Sequence, residues 1–377
     1  MASVRFDASP LAPTRRSFAA VPRGALYFIS NAILALIALT VSMRSADEKT
    51  TLAVPALVNP IIVPGADPWV VLHDGWYYYT DTRVNRIELR RSRSLSGLRE
   101  ATPTVVWRAP ENGPNSRSIW APEFHRIKDR WFLYYTATSR DDADANRRIF
   151  VLESRTSDLL GEWTDRGKLV VPASEDAYAI DGTVYQAADE HLYFLWSGRE
   201  ESAHGPQCLY IAEMENAWTL KSPRVRISVP EHEWERQGWP VNEGPQMLDH
   251  DGRLFLVYSA SGYSTLHYSL GLLEHRGGDL LNPQNWVKHP KPVFSSLHSG
   301  EPPVIAPGHC SFIKSPDGKE DWIVFHARDA ADIRKSMRNV RAQPFSWAAD
   351  GTPDFGEPVR PGVRIPAPSG ESSHTQH

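Results

Sequence analysis

The chain has 377 residues, with 41 Lys and Arg against 45 Asp and Glu, a formal charge of −4 that carries no polybasic footprint for nucleic acid and no acidic tail. The 30 prolines outnumber the 24 glycines and aromatic residues make up 10% of the chain, a balance that suits many short strands with punctuated turns better than long helices. Only two cysteines occur, Cys208 and Cys310, which excludes a disulfide-rich scaffold and any CxxC metal knuckle; both are expected as buried thiols.

In chain order, the first feature is an apolar run from Ala25 to Val41 behind Arg15, Arg16 and Arg23, with no acid between them. Residues 1–46 therefore read as a signal peptide or a signal anchor, which places the folded part outside the cytoplasm, extracellular or periplasmic, with membrane attachment only through an uncleaved leader. Residues 47–58 read as a polar linker, and 367–377, rich in Ser, His and Gly, as a disordered tail.

Between them one pattern recurs. Gly65-Ala66-Asp67-Pro68 enters the apolar run Trp69–Leu72, a turn at His73-Asp74-Gly75 and the aromatic run Trp76–Thr80, which is a strand, a turn and a strand with an acid at the mouth. Trp120-Ala121-Pro122-Glu123 leads into Arg130–Thr136, Ile180-Asp181-Gly182 into His191–Ser197, and Glu243-Gly244-Pro245 into Gly252–Ser259. The fifth copy, Gly308-His309-Cys310-Ser311 before Asp321–Ala327, has His309 where the others have an acid or Ala121. Steps of 54, 60, 62 and 66 residues from Asp67 through Ala121, Asp181 and Glu243 to His309 each leave room for four short strands. Further strand candidates fall at Ile87–Arg93, Arg148–Ser154, Leu209–Glu213 and Thr265–Leu272, followed by Trp107, Trp163, Trp218 and Trp286. Repeats of this size and form predict an all-β, five-bladed β-propeller over residues 59–366.

The innermost strand of every propeller blade runs along the central axis, so Asp67, Asp181 and Glu243 are expected to meet at one end of the channel. A lone Asp at a turn is ordinarily a turn former; three in register make a cluster. Carboxylates sharing a desolvated pocket cannot all ionise freely, so one rises in pKa while another stays low, supplying an acid and a base together. Glycoside hydrolysis uses such a pair, and Trp69, Trp120, Phe124, Trp196 and Trp239 offer aromatic faces for sugar rings. No P-loop, GxGxxG, HExxH or GxSxG motif is present.

With these motifs in this order, the chain resembles glycoside hydrolase family 43, five-bladed propellers that include α-L-arabinofuranosidases, arabinanases and β-xylosidases. The resemblance implies Asp67 as general base, Asp181 as the residue that orients the acid and adjusts its pKa, and Glu243 as general acid in an inverting displacement. It further implies that the carboxyls of Asp67 and Glu243 stand roughly 6.5–9.5 Å apart, with room for the attacking water. Trp120 and Glu123 resemble a pocket-lining signature; Trp69, Trp196 and Arg341 are further expected substrate contacts. His309 is a candidate metal position beside a structural Ca2+ near the axis, with no cofactor required for the chemistry. Arg341–Trp347 and Asp350–Gly356 resemble the arabinofuranosidase branch, so the expected substrates are arabinose-containing oligosaccharides or polysaccharides. Xylose-containing substrates, cleaved by a β-xylosidase, or endo-arabinanase action are the alternatives within the family. A non-catalytic propeller that binds carbohydrate or protein is the alternative of another class.

Overall fold

In the computed structural model, the structure describes residues 56–371 apart from 142 and 201–204, and these belong to one compact unit. The predicted leader, its export role and most of the linker lie outside the described residues. Among those described, no helix is long and apolar enough to cross a membrane. Short 3-10 turns interrupt what is otherwise strand and loop.

Five antiparallel sheets, each built from one contiguous stretch of chain, make up the blades, and a two-stranded sheet joins the ends of the described chain, so the predicted propeller is the observed fold. The innermost strands are Trp69–His73, Arg117–Ile127, Ala179–Gln186, Asn242–His250 and Ile305–Lys314, for blades one to five in order. Trp107, Trp163, Trp218 and Trp286 stand in or immediately before the outermost strands of the first four blades. The third strand of blade four is Ser269–His275, four residues later than expected, because Thr265 is held in a turn by its hydroxyl bond to the Gly262 carbonyl.

Strand periodicity decides how the blades stick together. Side chains alternate between the two faces of a strand, so in blade one Tyr77 and Tyr79 pack against blade five while Tyr78 packs against blade two. Five apolar clusters follow, one in each gap between neighbouring blades. Cys208 and Cys310 are free and buried, as expected.

Closure of the ring uses the start of the described chain. Ala56–Val58 pairs antiparallel with Arg364–Pro366. The segment after it lies along blade five, where Ile61 N–H donates to the Val340 carbonyl at 2.7 Å and Gly65 N–H to the Arg338 carbonyl at 2.9 Å. At the other terminus, part of the expected tail is docked: Ser369 N–H donates to Glu320 at 2.9 Å, and Glu371 accepts from Leu95 N–H at 2.8 Å.

One backbone feature repeats in all five blades. Asp67, Ala121, Asp181, Gly244 and His309 have φ of 56°, 41°, 55°, 55° and 46°. In blades two to five the pairing of the first and second strands shifts register here, which is the mark of a β-bulge. This corrects the repeat at blade four: the position equivalent to Asp67 is Gly244, and Glu243 sits one residue earlier. Left-handed backbone costs an L-residue roughly 1–2 kcal/mol; Gly244 avoids that cost, and at Asp67, Ala121, Asp181 and His309 the backbone N–H is held by a side chain of the preceding blade.

Candidate active site

The bulges aim their residues into a cavity of about 620 Å³ at one end of the channel, lined among others by Asp67, Asp181, Glu243, Trp120, Trp239 and Arg338. The three predicted acids are thus brought together. Asp67 is held on both oxygens: the Thr82 hydroxyl donates to Oδ2 at 2.7 Å and Arg338 Nη1 donates to Oδ1 at 2.8 Å. Asp181 accepts from Gly244 N–H at 3.2 Å. Glu243 accepts from the Tyr268 hydroxyl at 2.8 Å and from Gln207 Nε2 at 3.2 Å.

These settings divide the acids. Burial pushes the Asp67 carboxyl up, but the Arg338 guanidinium above all, with the Thr82 hydroxyl, outweighs it and holds Asp67 well below the usual carboxylate range. Asp181 is raised by burial and then by the neighbouring charges of Glu243 and Asp67, against one backbone hydrogen bond. Glu243 is pushed up to about 7 by burial and by Asp67, although Tyr268 and Gln207 donate to it. At neutral pH the cavity therefore contains an ionised Asp67 facing an Asp181–Glu243 pair that retains a proton, and the proton belongs to the pair.

Other expectations fare differently. Trp120 lines the cavity, with the Arg147 guanidinium 4.2 Å from its ring centroid. Trp69 does not; its Nε1 donates to the Phe124 carbonyl at 2.9 Å and its ring packs against His125 between blades one and two. Phe124 itself is buried core between the same two blades. Trp196 faces blade two in the apolar gap, stacked on Tyr210 at 5.8 Å, because strand alternation turns it away from the axis. Glu123 is buried and satisfied by Gln246 at 2.6 Å and His125 at 3.0 Å, outside the cavity lining.

Arg341 is fully buried, and it too is outside the lining: its guanidinium pairs with Asp329 and donates to the Val359 carbonyl. The cations that line the cavity are Arg199 and, three residues before Arg341, Arg338, which also lies over the Tyr263 ring at 4.9 Å. Arg341→Met is accordingly expected to lower stability by about 1–3 kcal/mol while leaving KM unchanged, since the Val359 carbonyl loses its donor and Asp329 keeps, among the described residues, only the Asn339 amide. Thermal melts beside saturation kinetics check this, and a raised KM at unchanged Tm would return Arg341 to the pocket.

His309 stands at the channel axis with Nδ1 3.5 Å from Asp67 Oδ1 and 3.9 Å from Asp181 Oδ2, and burial lowers its pKa. A calcium ion takes six to eight oxygen ligands, and among the described residues no group of three or more His, Cys, Asp or Glu side chains is placed to hold a metal. The protein groups around His309 do not fit direct calcium ligation.

An ionised carboxylate and a protonated carboxyl pair in one polar cavity at the axis of a five-bladed propeller equip this molecule for general acid–base chemistry on a small polar substrate. The comparisons agree on its kinship: the sequence profile of Glycosyl hydrolases family 43 matches residues 57–353, and the chain belongs to that family. It is 39% identical over 316 residues to alpha-L-arabinofuranosidase 43 of Humicola insolens, covering 81% of this chain and 64% of that protein. The chain thus spans less than two thirds of that relative's length. It is 40% identical over 280 residues to an extracellular exo-alpha-(1->5)-L-arabinofuranosidase of Streptomyces chartreusis, covering 73% of this chain and 83% of the relative. The crystal structure of alpha-L-arabinofuranosidase from Lactobacillus brevis superposes with a TM-score of 0.76 at 38% identity, over 81% of this chain and 98% of the other.

Proposed function

We propose that the protein is a secreted, exo-acting α-L-arabinofuranosidase that releases arabinofuranosyl residues from arabinose-containing oligosaccharides or polysaccharides with inversion of configuration. The observation that carries the reading is the split among the three acids. Asp67, kept ionised by Arg338, takes the proton of a water attacking the anomeric carbon. Glu243, within the pair that retains a proton, donates to the departing glycosidic oxygen, and Asp181 orients it and shares its charge. This is acid and base catalysis from two sides of one bond. The sugar is assigned from the relatives named as arabinofuranosidases, and secretion from the basic and apolar leader together with the relative named as extracellular.

The test is hydrolysis of aryl α-L-arabinofuranoside against aryl β-D-xyloside, with the anomeric proton of the first-formed sugar followed by NMR. Release of β-arabinofuranose that then mutarotates is expected. Preferred xyloside turnover would overturn the sugar, and initial α-arabinofuranose would overturn inversion.

A further inference from the structure

The five left-handed bulges are laced to one another by one equivalent residue per blade. Thr82, Thr136, Ser197, Ser259 and His326 all sit opposite the residue just before the bulge of their own blade. Each reaches across to the first strand of the next blade. The Thr82 hydroxyl accepts from Ala121 N–H at 2.8 Å, that of Thr136 from Asp181 N–H at 3.1 Å, and that of Ser259 from His309 N–H at 2.7 Å. Ser197 instead donates to the Asn242 carbonyl at 2.8 Å. Where blade five meets blade one the hydroxyl is replaced, and His326 Nδ1 accepts from Asp67 N–H at 3.1 Å. An imidazole reaches one bond further than a hydroxyl from the same Cβ.

That acceptor role defines the ring's state. Nδ1 also lies 3.5 Å from Asp67 Oδ1, but its lone pair is taken by the Asp67 N–H, so the contact is not an ion pair and the imidazole is the neutral Nε2–H tautomer. Nε2 is buried, and among the described residues no side chain or backbone group hydrogen-bonds to it. The same ring stacks on Tyr268, 5.7 Å away and 4° from parallel, and Tyr268 is the donor to Glu243.

We propose that His326 is the positioning residue of the reaction: its Nδ1 fixes the left-handed backbone of Asp67 while its face supports Tyr268, setting the base against the acid. The proposal rests on Asp67 and Glu243 acting as base and acid.

Asn places Oδ1 where His places Nδ1; Gln moves its acceptor one bond further; Leu has none. His326→Asn is expected to keep kcat within about threefold of the parent, and His326→Leu to lose about 100-fold in kcat with little change in KM, the scale of a misplaced catalytic group. A crystal structure of His326→Leu should show Asp67 out of the positive-φ region. Full kcat in His326→Leu, or equal loss in the Asn and Leu variants, would overturn the proposal, as would Asp67 retaining its φ near 56° in the Leu variant. Should the Leu variant not fold, the Asn and Gln pair decides, with Asn active and Gln impaired as the supporting result and the reverse overturning it. Asp67→Ala separates the two readings. If it is inactive while His326→Leu is fully active, only the positioning role fails; if Asp67→Ala is itself active, the base assignment fails and the proposal with it.

Discussion

Glu243→Ala is expected to lower kcat on unactivated arabino-oligosaccharides by about 1,000-fold or more, near the upper part of the range for lost general acid catalysis. The deficit should shrink on aryl arabinofuranosides with acidic phenols, because a leaving group that departs as a stable anion needs no proton. Asp67→Ala should instead be crippled on both substrates, since the water must be deprotonated whatever leaves. The contrast follows from the cavity: Glu243 belongs to the carboxyl pair that retains a proton, whereas Asp67 is locked as an anion by Arg338 at 2.8 Å. Steady-state kinetics on a series of phenols checks it. A Glu243→Ala deficit independent of the phenol would remove Glu243 from the acid role.

The pH profile of kcat/KM is expected to be a bell with a basic limb near pH 7, set by the Asp181–Glu243 pair, and an acidic limb below the ordinary carboxylate range, set by Asp67. The signs are opposite for the two groups. Asp67 works as the anion, so activity appears as pH rises through its lowered pKa; the pair works with its proton, so activity is lost as pH rises through its raised one. Arg338→Met removes the largest favourable influence on the Asp67 anion and a weaker one on the Glu243 anion, so both limbs move to higher pH, the acidic one further. Tyr268→Phe removes a donor that favours ionised Glu243, so it moves the basic limb upward. A profile unaltered by Arg338→Met would mean that Asp67 does not set the acidic limb.

Much of this was legible in the amino-acid sequence because the signals are local. Turn dipeptides, aromatic runs and a repeat of some sixty residues report the blade, and a closed repeat brings equivalent positions to one axis whatever their separation in the chain. That logic led to Asp67, Asp181 and Glu243, and to the Trp at or beside the outermost strand of four blades. The one-residue offset at Glu243 escaped it, since only the backbone shows that Gly244 takes the left-handed bulge.

What the tertiary structure alone decided concerns facing and pairing. Trp69, Trp120 and Trp196 all sit near strand starts or ends and look alike in sequence, yet alternation and bulge placement put only Trp120 in the cavity. Arg338 and Arg341 are three residues apart. Arg338 is brought to Asp67 because its carbonyl accepts from Gly65 N–H as the strap closes the ring, a contact made across 273 residues of chain. The partners that tune Glu243, Gln207 and Tyr268, and the imidazole of His326 that holds Asp67, come from different blades or strands. The blade, its fivefold count and the three acids are legible in the amino-acid order because these follow from short-range patterning. Which acid is ionised, and which cation and imidazole attend it, depended on the closure of the ring, because charge and burial are set by neighbours in space.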